Sequence, residues 1–173
     1  MTEANLLITY DPSHAGRAKE EIAALLGAAD DDGKFMDSEI EGVFLLRTKK
    51  DPKETVKKMV HECKRDAGKF RYTFNWVPIE KWCSSGMEEM SNVMREFDAR
   101  IDANKKWKME LNKRQYDKHK TIDLIMALTD KITKPNVDLK NPDIVVKVEI
   151  IGNKAGCSLL KKDEVLNVPS VKS

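Results

Sequence analysis

The chain has 173 residues, of which 40% are hydrophobic and 35% are charged, as is typical of a globular protein with a heavily ionised surface. This length accommodates one medium domain or two small ones, each with a hydrophobic core. Apolar runs of about six residues are too short to cross a membrane, and no basic region precedes the apolar stretch near the N-terminus, so we expect no secretory signal there. The three cysteines, Cys63, Cys83 and Cys157, form no CxxC pair, so we expect a reducing, cytoplasmic environment.

The net charge of +2 is unevenly distributed. Residues 1–50 contain 6 Lys and Arg against 10 Asp and Glu, whereas residues 51–173 contain 25 against 19. Residues 103–120 include seven basic and two acidic residues. We therefore expect any surface for a polyanion to lie in the second half of the chain, with an ordinary solvated face as the alternative.

The first half of the chain alternates strand-like and helix-like segments. Apolar residues recur at helical spacing within 14–27 and after Asp51-Pro52, which supply a capping residue and a favoured first position. The predicted elements are a strand at 5–10, a helix at 14–27, strands at 34–40 and 43–47, a helix from 52, and a strand at 70–77. This βαββαβ order predicts a ferredoxin-like domain.

The second half begins after a boundary at residues 78–86. Helical spacing predicts a helix at 87–101, then alternation predicts a strand at 107–112 that runs into Lys113-Arg114. A helix at 119–134 is expected to bury one side, made of Ile122, Ile125, Thr129 and Ile132. A turn at 137–143 leads to a strand at 144–151, whose even-numbered residues share one face, and 157–160 pairs back on it after a hairpin loop.

The predicted fold class is α+β, with an N-terminal ferredoxin-like domain followed by an α/β domain. We expect these domains at residues 1–80 and 81–165, and a flexible tail at 166–173.

One part of the second half carries a family signature. The sequence Val137-Asp138-Leu139-Lys140-Asn141-Pro142-Asp143 followed by Ile144–Ile150, with the hairpin after it, resembles the C-terminal motif of THUMP domains. The strand ending in Lys113-Arg114, with Asp117-Lys118-His119 after it, resembles the segment that precedes this motif in the family. The resemblance covers about residues 75–165, and it implies a THUMP domain that binds the acceptor end of tRNA.

The same resemblance implies a partner. Most THUMP domains are attached to a modification enzyme, but no glycine-rich cofactor loop follows a strand here, so we predict no enzymatic activity, no catalytic residue and no cofactor. The sequence is similar to the THUMP adaptors that help a separate tRNA cytidine acetyltransferase to form N4-acetylcytidine, because those adaptors also combine Asn-Pro, Val-x-Val-Glu-Ile-Ile and a Cys after the following turn, which is the place of Cys157. Two other classes stay open: a small RNA-processing enzyme that uses Asp11 and His14, and a structural component of a ribonucleoprotein.

Basic residues near the signature are the candidate RNA contacts. A strand end projects two cations from a fixed position, and the following helix start offers unpaired N–H groups and a dipole that attract phosphate. The candidates are Lys113, Arg114, Lys118, His119, Lys120 and Lys140. We expect Asp138, Asn141 and Pro142 to shape a turn. No metal site is expected, because His61 and Cys63, two residues apart on a helix, point to different faces.

Overall fold

The computed structural model describes residues 3–173; Met1 and Thr2, which belong to the predicted first domain, lie outside the described residues. The chain divides into two compact units. The first runs to Ile79 and resumes at Asp163–Ser173, and the second is Glu80–Lys162. The chain therefore leaves the first unit after Ile79 and returns to it eighty-odd residues later.

The first unit contains one antiparallel sheet with helices packed on it. Its elements are β1 (Leu6–Tyr10), α1 (Ala15–Ala28), β2 (Gly33–Met36), β3 (Val43–Thr48), α2 (Pro52–Arg65), β4 (Thr73–Pro78), and two late elements, β9 (Leu166–Asn167) and α5 (Val168–Lys172). The strand order is β2-β3-β1-β4-β9. The first four strands with α1 and α2 have the ferredoxin-like order, and this part of the predicted fold is confirmed.

Local sequence signals explain the helix starts of this unit. The Asp51 carboxylate accepts a hydrogen bond from the Lys53 N–H, and Pro52 occupies the first helical position of α2. Val56 and Met59 then lie on the buried face. The apolar spacing of the sequence is thus sufficient to place α2 against the sheet.

The C-terminal segment differs from the prediction. Residues 166–173 were expected to be a flexible tail, but Leu166 pairs with Trp76 to add β9 to the edge of the first sheet. Leu166 and Val168 are 1% and 2% exposed, and Lys172 Nζ donates to the Phe70 carbonyl at 2.7 Å. Burial of the two apolar side chains and the pairing of an otherwise open sheet edge hold the segment in place.

The second unit is an α/β layer with a mixed sheet. Its elements are β5 (Lys81–Ser84), α3 (Met87–Arg100), β6 (Trp107–Arg114), α4 (Thr121–Thr129), β7 (Ile144–Ile151) and β8 (Lys154–Leu160). The strand order is β5-β8-β7-β6. Strands β6 and β7 are parallel and α4 lies in the crossover between them, whereas β7–β8 and β5–β8 are antiparallel. The predicted α+β class is confirmed, while β5 was not foreseen.

The core of the second unit lies between its helices and one face of this sheet. From α3 it takes Met90, Met94 and Phe97, and from β7 it takes Val146, Val148 and Ile150. The expected division of β7 into two faces is confirmed, because Lys147 and Glu149 lie on the face opposite this cluster. The methionine spacing of the sequence therefore reflects packing.

Helix α4 corrects the prediction for residues 119–134. The helix is shorter, Thr121–Thr129, and its buried side is set by Leu124 and Leu128, both 0% exposed. Ile122 was expected in the core but is 59% exposed. Leucines four residues apart fix the inner face, and Ile122 lies two positions away from Leu124, on another side of the helix.

Candidate nucleic-acid interface

The carboxyl end of β6 brings five of the six predicted contacts together. Lys113 and Arg114 are its last residues, and a short loop leads directly to α4, whose N-cap is Lys120. We call Lys113, Arg114, Lys118, His119 and Lys120 the strand-end cluster. Of these, Lys118, His119 and Lys120 are exposed and the two strand residues are half-buried. The five residues lie within eight consecutive positions of the chain, so they are brought together by the strand–loop–helix order alone.

Hydrogen bonds fix the loop of the cluster. Lys113 Nζ donates to the His119 carbonyl oxygen at 2.7 Å. Gln115 adopts a left-handed conformation, with φ of 53°, which turns the chain out of the strand. The Tyr116 hydroxyl donates to the Ser85 carbonyl at 3.0 Å, and the Tyr116 and His119 rings lie 6.4 Å apart. The loop therefore holds its cations on a defined backbone.

Arg114 is engaged within the protein. Its Nη1 lies 3.0 Å from Oε2 of Glu149, whose side chain is only 2% exposed. Glu149 also accepts from Asn112 Nδ2 at 3.2 Å and lies 3.6 Å from Lys147 Nζ. The guanidinium of Arg114 thus neutralises a buried carboxylate. Only those of its N–H groups that do not bind Glu149 can contact a ligand.

A row of ion pairs continues from Arg114 along the same face of the sheet. Lys147 Nζ lies 3.0 Å from Oε2 of Glu110, and Lys108 Nζ lies 2.7 Å from Oε1 of the same residue. Burial raises the pKa of Glu110, but hydrogen bonds and charge from Lys108 and Lys147 outweigh it and leave the pKa lowered. Lys108 is therefore paired with Glu110, although it lies in the basic stretch of residues 103–120.

The N-terminus of α4 has no side-chain cap. Lys120 is in the extended N-cap conformation, with φ of −70° and ψ of 151°, but an ammonium group cannot accept a hydrogen bond. The N–H groups of the first turn thus point toward the strand-end cluster without a capping oxygen. Asp123 lies in this first turn and contributes the one acidic side chain there.

Lys140 lies at the opposite end of the sheet. It precedes β7, and Ile144 at the start of β7 pairs with Trp107 at the start of β6, whereas Arg114 pairs with Ile151 at the far end. Seven residue steps of a strand separate the two ends by about 23 Å. The structure therefore does not bring Lys140 together with the strand-end cluster.

The turn before β7 is built as expected. Asp138 Oδ1 accepts from the N–H groups of Lys140 and Asn141, at 3.0 and 2.9 Å. The hydrogen bonds from the Asn141 and Lys140 N–H groups hold the pKa of Asp138 below its usual value. The structural role predicted for Asp138 is confirmed.

The structure adds Lys154 to the neighbourhood of the cluster. The Gly152 N–H donates to the Arg114 carbonyl at 2.9 Å, which ties the β7–β8 hairpin to the end of β6. Lys154 begins β8 in that hairpin and is exposed. The sequence contained the residue, but only the β6–β7 pairing reveals that it lies at this end of the sheet.

The two residues proposed for an enzyme in the first half do meet. His14 Nδ1 lies 2.9 Å from Asp11 Oδ2, and Asp11 also accepts from the Ser13 N–H. The hydrogen bond with His14, followed by that from Ser13, lowers the pKa of Asp11. Neither residue lines the groove of about 950 Å³ between α1 and α2, so the pair is an exposed turn contact.

The cysteines and His61 differ in exposure. Cys63 and Cys157 are buried and Cys83 is partly exposed, while His61 is exposed on α2. Among residues 3–173, no three His, Cys, Asp or Glu side chains are grouped closely enough to hold a metal ion. Over the same residues, every helix is too short or too polar to cross a bilayer.

Comparison with known protein families identifies a domain in the second half of the chain. The model of the THUMP domain matches residues 85–160, which include α3 through β8. The chain contains a THUMP domain. The strand-end cluster and the hairpin that carries Lys154 lie within it, as does the turn before β7. No curated protein sequence matches the chain.

Solved structures share the fold at low sequence identity. PH1313 from Pyrococcus horikoshii Ot3 has a TM-score of 0.61 at 15% identity, over 91% of this chain and 55% of that one. TrmN from Thermus thermophilus has a TM-score of 0.59 at 14% identity, over 89% and 44%. A predicted N6-adenine-specific DNA methylase from Listeria monocytogenes str. 4b F2365 has 0.58 at 9% identity, over 92% and 40%. This chain thus spans about half the length of these neighbours.

These neighbours contradict the prediction that the chain is not an enzyme. The fold of this chain occurs within a protein described as a methylase, where it makes up 40% of the length. The prediction was based on the absence of a glycine-rich loop, and that absence concerns only these 173 residues. The prediction was wrong because a fold found inside enzymes does not identify a non-enzyme.

Proposed function

We propose that this chain binds tRNA through its THUMP domain and places it for a modification enzyme, with tRNA cytidine acetyltransferase as the partner. The observation that carries the RNA-binding part is the strand-end cluster: four cations and a histidine beside a helix start without a capping side chain. Such a surface attracts phosphate through charge and through backbone N–H groups. The acetyltransferase comes from the resemblance of Val137–Ile150 and Cys157 to the adaptors of that enzyme.

The charges at this end of the sheet favour an anionic ligand. Lys118, Lys120 and Lys154 are exposed, whereas Glu149, the buried carboxylate of this region, is already paired with Arg114. The acidic side chains of the loop and first turn are Asp117 and Asp123. A phosphate at this end of the sheet is therefore surrounded by more exposed positive charge than negative charge.

Positioning is the contribution we assign to the chain. An RNA held by its acceptor end presents the rest of the molecule in a fixed orientation, which raises the effective concentration of the target cytidine at a second protein. The expected consequence is a lower KM for tRNA, because the complex binds its substrate with two surfaces.

The test uses three labelled ligands at two salt concentrations: intact tRNA, the same tRNA without its unpaired 3′ end, and a DNA duplex of similar charge. The proposal predicts that intact tRNA binds most tightly and that trimming weakens it at both salt concentrations. Equal binding of all three ligands, with equal loss in salt, would contradict it. Addition of the purified acetyltransferase then tests the partner, with acetylation of intact tRNA as the readout.

A further inference from the structure

Two cysteines of the second unit lie side by side at the edge of its sheet. Strand β5 is the edge strand and pairs with β8 in antiparallel register. Cys83 is opposite Ala155, and Cys157 is opposite Lys81. The two cysteines are therefore diagonal neighbours on one face. Cys157 is buried in the hydrophobic core, and Cys83 packs against the same core while it is partly exposed. The fold thus brings together two thiols that are far apart in the sequence.

The two thiols are chemically unequal. The hydrogen bond with Cys157 lowers the pKa of the Cys83 thiol and outweighs the opposing effects of burial and of the Glu89 charge. The charge of Lys81, which is itself paired with Glu96, acts in the same direction as the hydrogen bond. The hydrogen bond to Cys83 and then burial raise the pKa of Cys157. Cys83 is therefore both the more exposed thiol and the one that ionises more readily, while Cys157 keeps its proton.

The third cysteine has a different environment. Cys63 lies on α2 in the first unit, apart from the other two cysteines. It is 0% exposed, and burial raises the pKa of its thiol. A buried thiol that stays protonated reacts slowly with oxidants and alkylating reagents. Cys63 is therefore an internal reference for the reactivity of Cys83.

We propose that Cys83 and Cys157 form a reversible redox site, which hydrogen peroxide converts to an intramolecular disulfide. The Cys83 thiolate attacks one oxygen of the peroxide, the O–O bond breaks, and Cys83 becomes a sulfenic acid as hydroxide leaves and takes up a proton from solvent. The Cys157 sulfur then attacks the Cys83 sulfur. The S–O bond breaks, and the oxygen leaves as water with the Cys157 proton. The two thiols lose two electrons, and the peroxide is reduced to two waters.

Closure of the disulfide requires a small movement of β5. Diagonal neighbours in an antiparallel sheet have Cα atoms about 7–8 Å apart, whereas those of a disulfide lie about 5.5–6 Å apart. Ser85 follows β5 directly, and its N–H donates to the Asn153 carbonyl at 3.0 Å. The Ser85 carbonyl accepts from the Tyr116 hydroxyl, also at 3.0 Å. A shift of the four-residue strand is therefore transmitted through Ser85 to the loop that follows β6.

The test exposes the full, reduced chain to hydrogen peroxide and maps its cysteines by mass spectrometry without reduction. Cys83→Ser removes the exposed thiol, Cys157→Ala removes its neighbour, and Cys63→Ala is the control from the other unit. The unsubstituted protein and Cys63→Ala should each form one disulfide, between Cys83 and Cys157, which dithiothreitol reverses. Cys83→Ser should form none, and Cys157→Ala should accumulate a sulfenic acid at Cys83 that dimedone traps.

Alkylation rates give a second measurement that does not depend on disulfide formation. In the unsubstituted protein, Cys83 should react with iodoacetamide at pH 7 at least about tenfold faster than Cys63, because it is more exposed and more ionised. Cys157→Ala removes the hydrogen bond that lowers the pKa of Cys83. The reaction of Cys83 should therefore slow about threefold or more in this variant.

The inference is overturned if hydrogen peroxide gives no disulfide between Cys83 and Cys157, or if it oxidises Cys63 as fast as Cys83. Equal alkylation of Cys83 with and without the Cys157 thiol would also overturn it, because the two thiols would then act separately. Amide exchange tests the movement of β5: residues 115–119 should exchange faster in the disulfide form, and unchanged exchange would contradict transmission through Ser85. None of these measurements involves RNA, so the proposed function stands or falls separately.

Discussion

Arg114 Nη1 and Glu149 Oε2 lie 3.0 Å apart across two parallel strands, and the glutamate side chain is 2% exposed. This pair joins the basic end of β6 to the interior of the sheet. Its geometry gives Arg114 a structural role in addition to any RNA contact. A cation that anchors a buried carboxylate is also held in one orientation toward a ligand.

We predict that Arg114→Ala lowers the free energy of unfolding by about 2 kcal/mol, since Glu149 loses one charged hydrogen bond but keeps Asn112 and Lys147. Lys118→Ala is the control, because an exposed lysine should change stability by less than about 0.5 kcal/mol. Urea unfolding measures both. Equal stability of the two variants would show that Arg114 and Glu149 are not energetically coupled, and the Glu149→Gln double-mutant cycle would quantify the coupling.

We expect Lys120 to contact RNA at a cost to the local stability of α4. It occupies the N-cap of α4 in the conformation favoured by serine, without a side-chain acceptor. We predict that Lys120→Ser stabilises α4 by about 1 kcal/mol, measured by slower amide hydrogen exchange, while tRNA affinity falls. Lys118→Ser lies outside the cap and should lose affinity without this gain. Slower exchange in both variants, or tighter RNA binding in Lys120→Ser, would contradict the assignment.

The turn before β7 should show a pH-dependent contribution from Asp138. Hydrogen bonds from the Asn141 and Lys140 N–H groups lower its pKa in the folded protein. The stabilisation is therefore present above the unfolded pKa of about 4 and is lost as the pH falls through the folded value. Asp138→Asn keeps an acceptor oxygen but does not titrate in this range. The advantage of the unsubstituted protein over this variant in urea should shrink between pH 6 and pH 3; a constant difference would contradict the prediction.

The sequence predicted the elements that local patterns determine. The βαββαβ order of the first unit follows from apolar periodicity and from caps such as Asp51-Pro52, and β7 follows from its alternation. The strand-end cluster was predictable for the same reason, since Lys113 to Lys120 are continuous in the chain. These features need no knowledge of distant contacts.

The features that escaped prediction depend on pairing between distant segments. Lys140 lies at the far end of the sheet from Lys113 because β6 and β7 are parallel, which no local pattern reveals. The two-residue strand β9 is too short to show periodicity, and its pairing with β4 replaces the expected tail. The buried side of residues 119–134 was predicted in part: Ile125 and Ile132 pack on the core as expected, but Leu124 and Leu128 set the inner face of α4 and Ile122 is exposed, because apolar residues occur on more than one side of the helix.

The central claim is that tRNA binds at the carboxyl end of β6, and two matched charge reversals test it most directly. Lys118→Glu/Lys120→Glu changes the strand-end cluster, and Lys105→Glu/Lys140→Glu makes the same charge change with exposed lysines near the other end of the sheet. The measurement is tRNA affinity as a function of salt concentration. We predict that the first pair lowers affinity more than about tenfold and reduces the salt slope by about 1.5 to 2, while the second pair has a much smaller effect. Equal losses in both pairs would show that the lysines act as a general polyanion surface and would contradict a site at the end of β6.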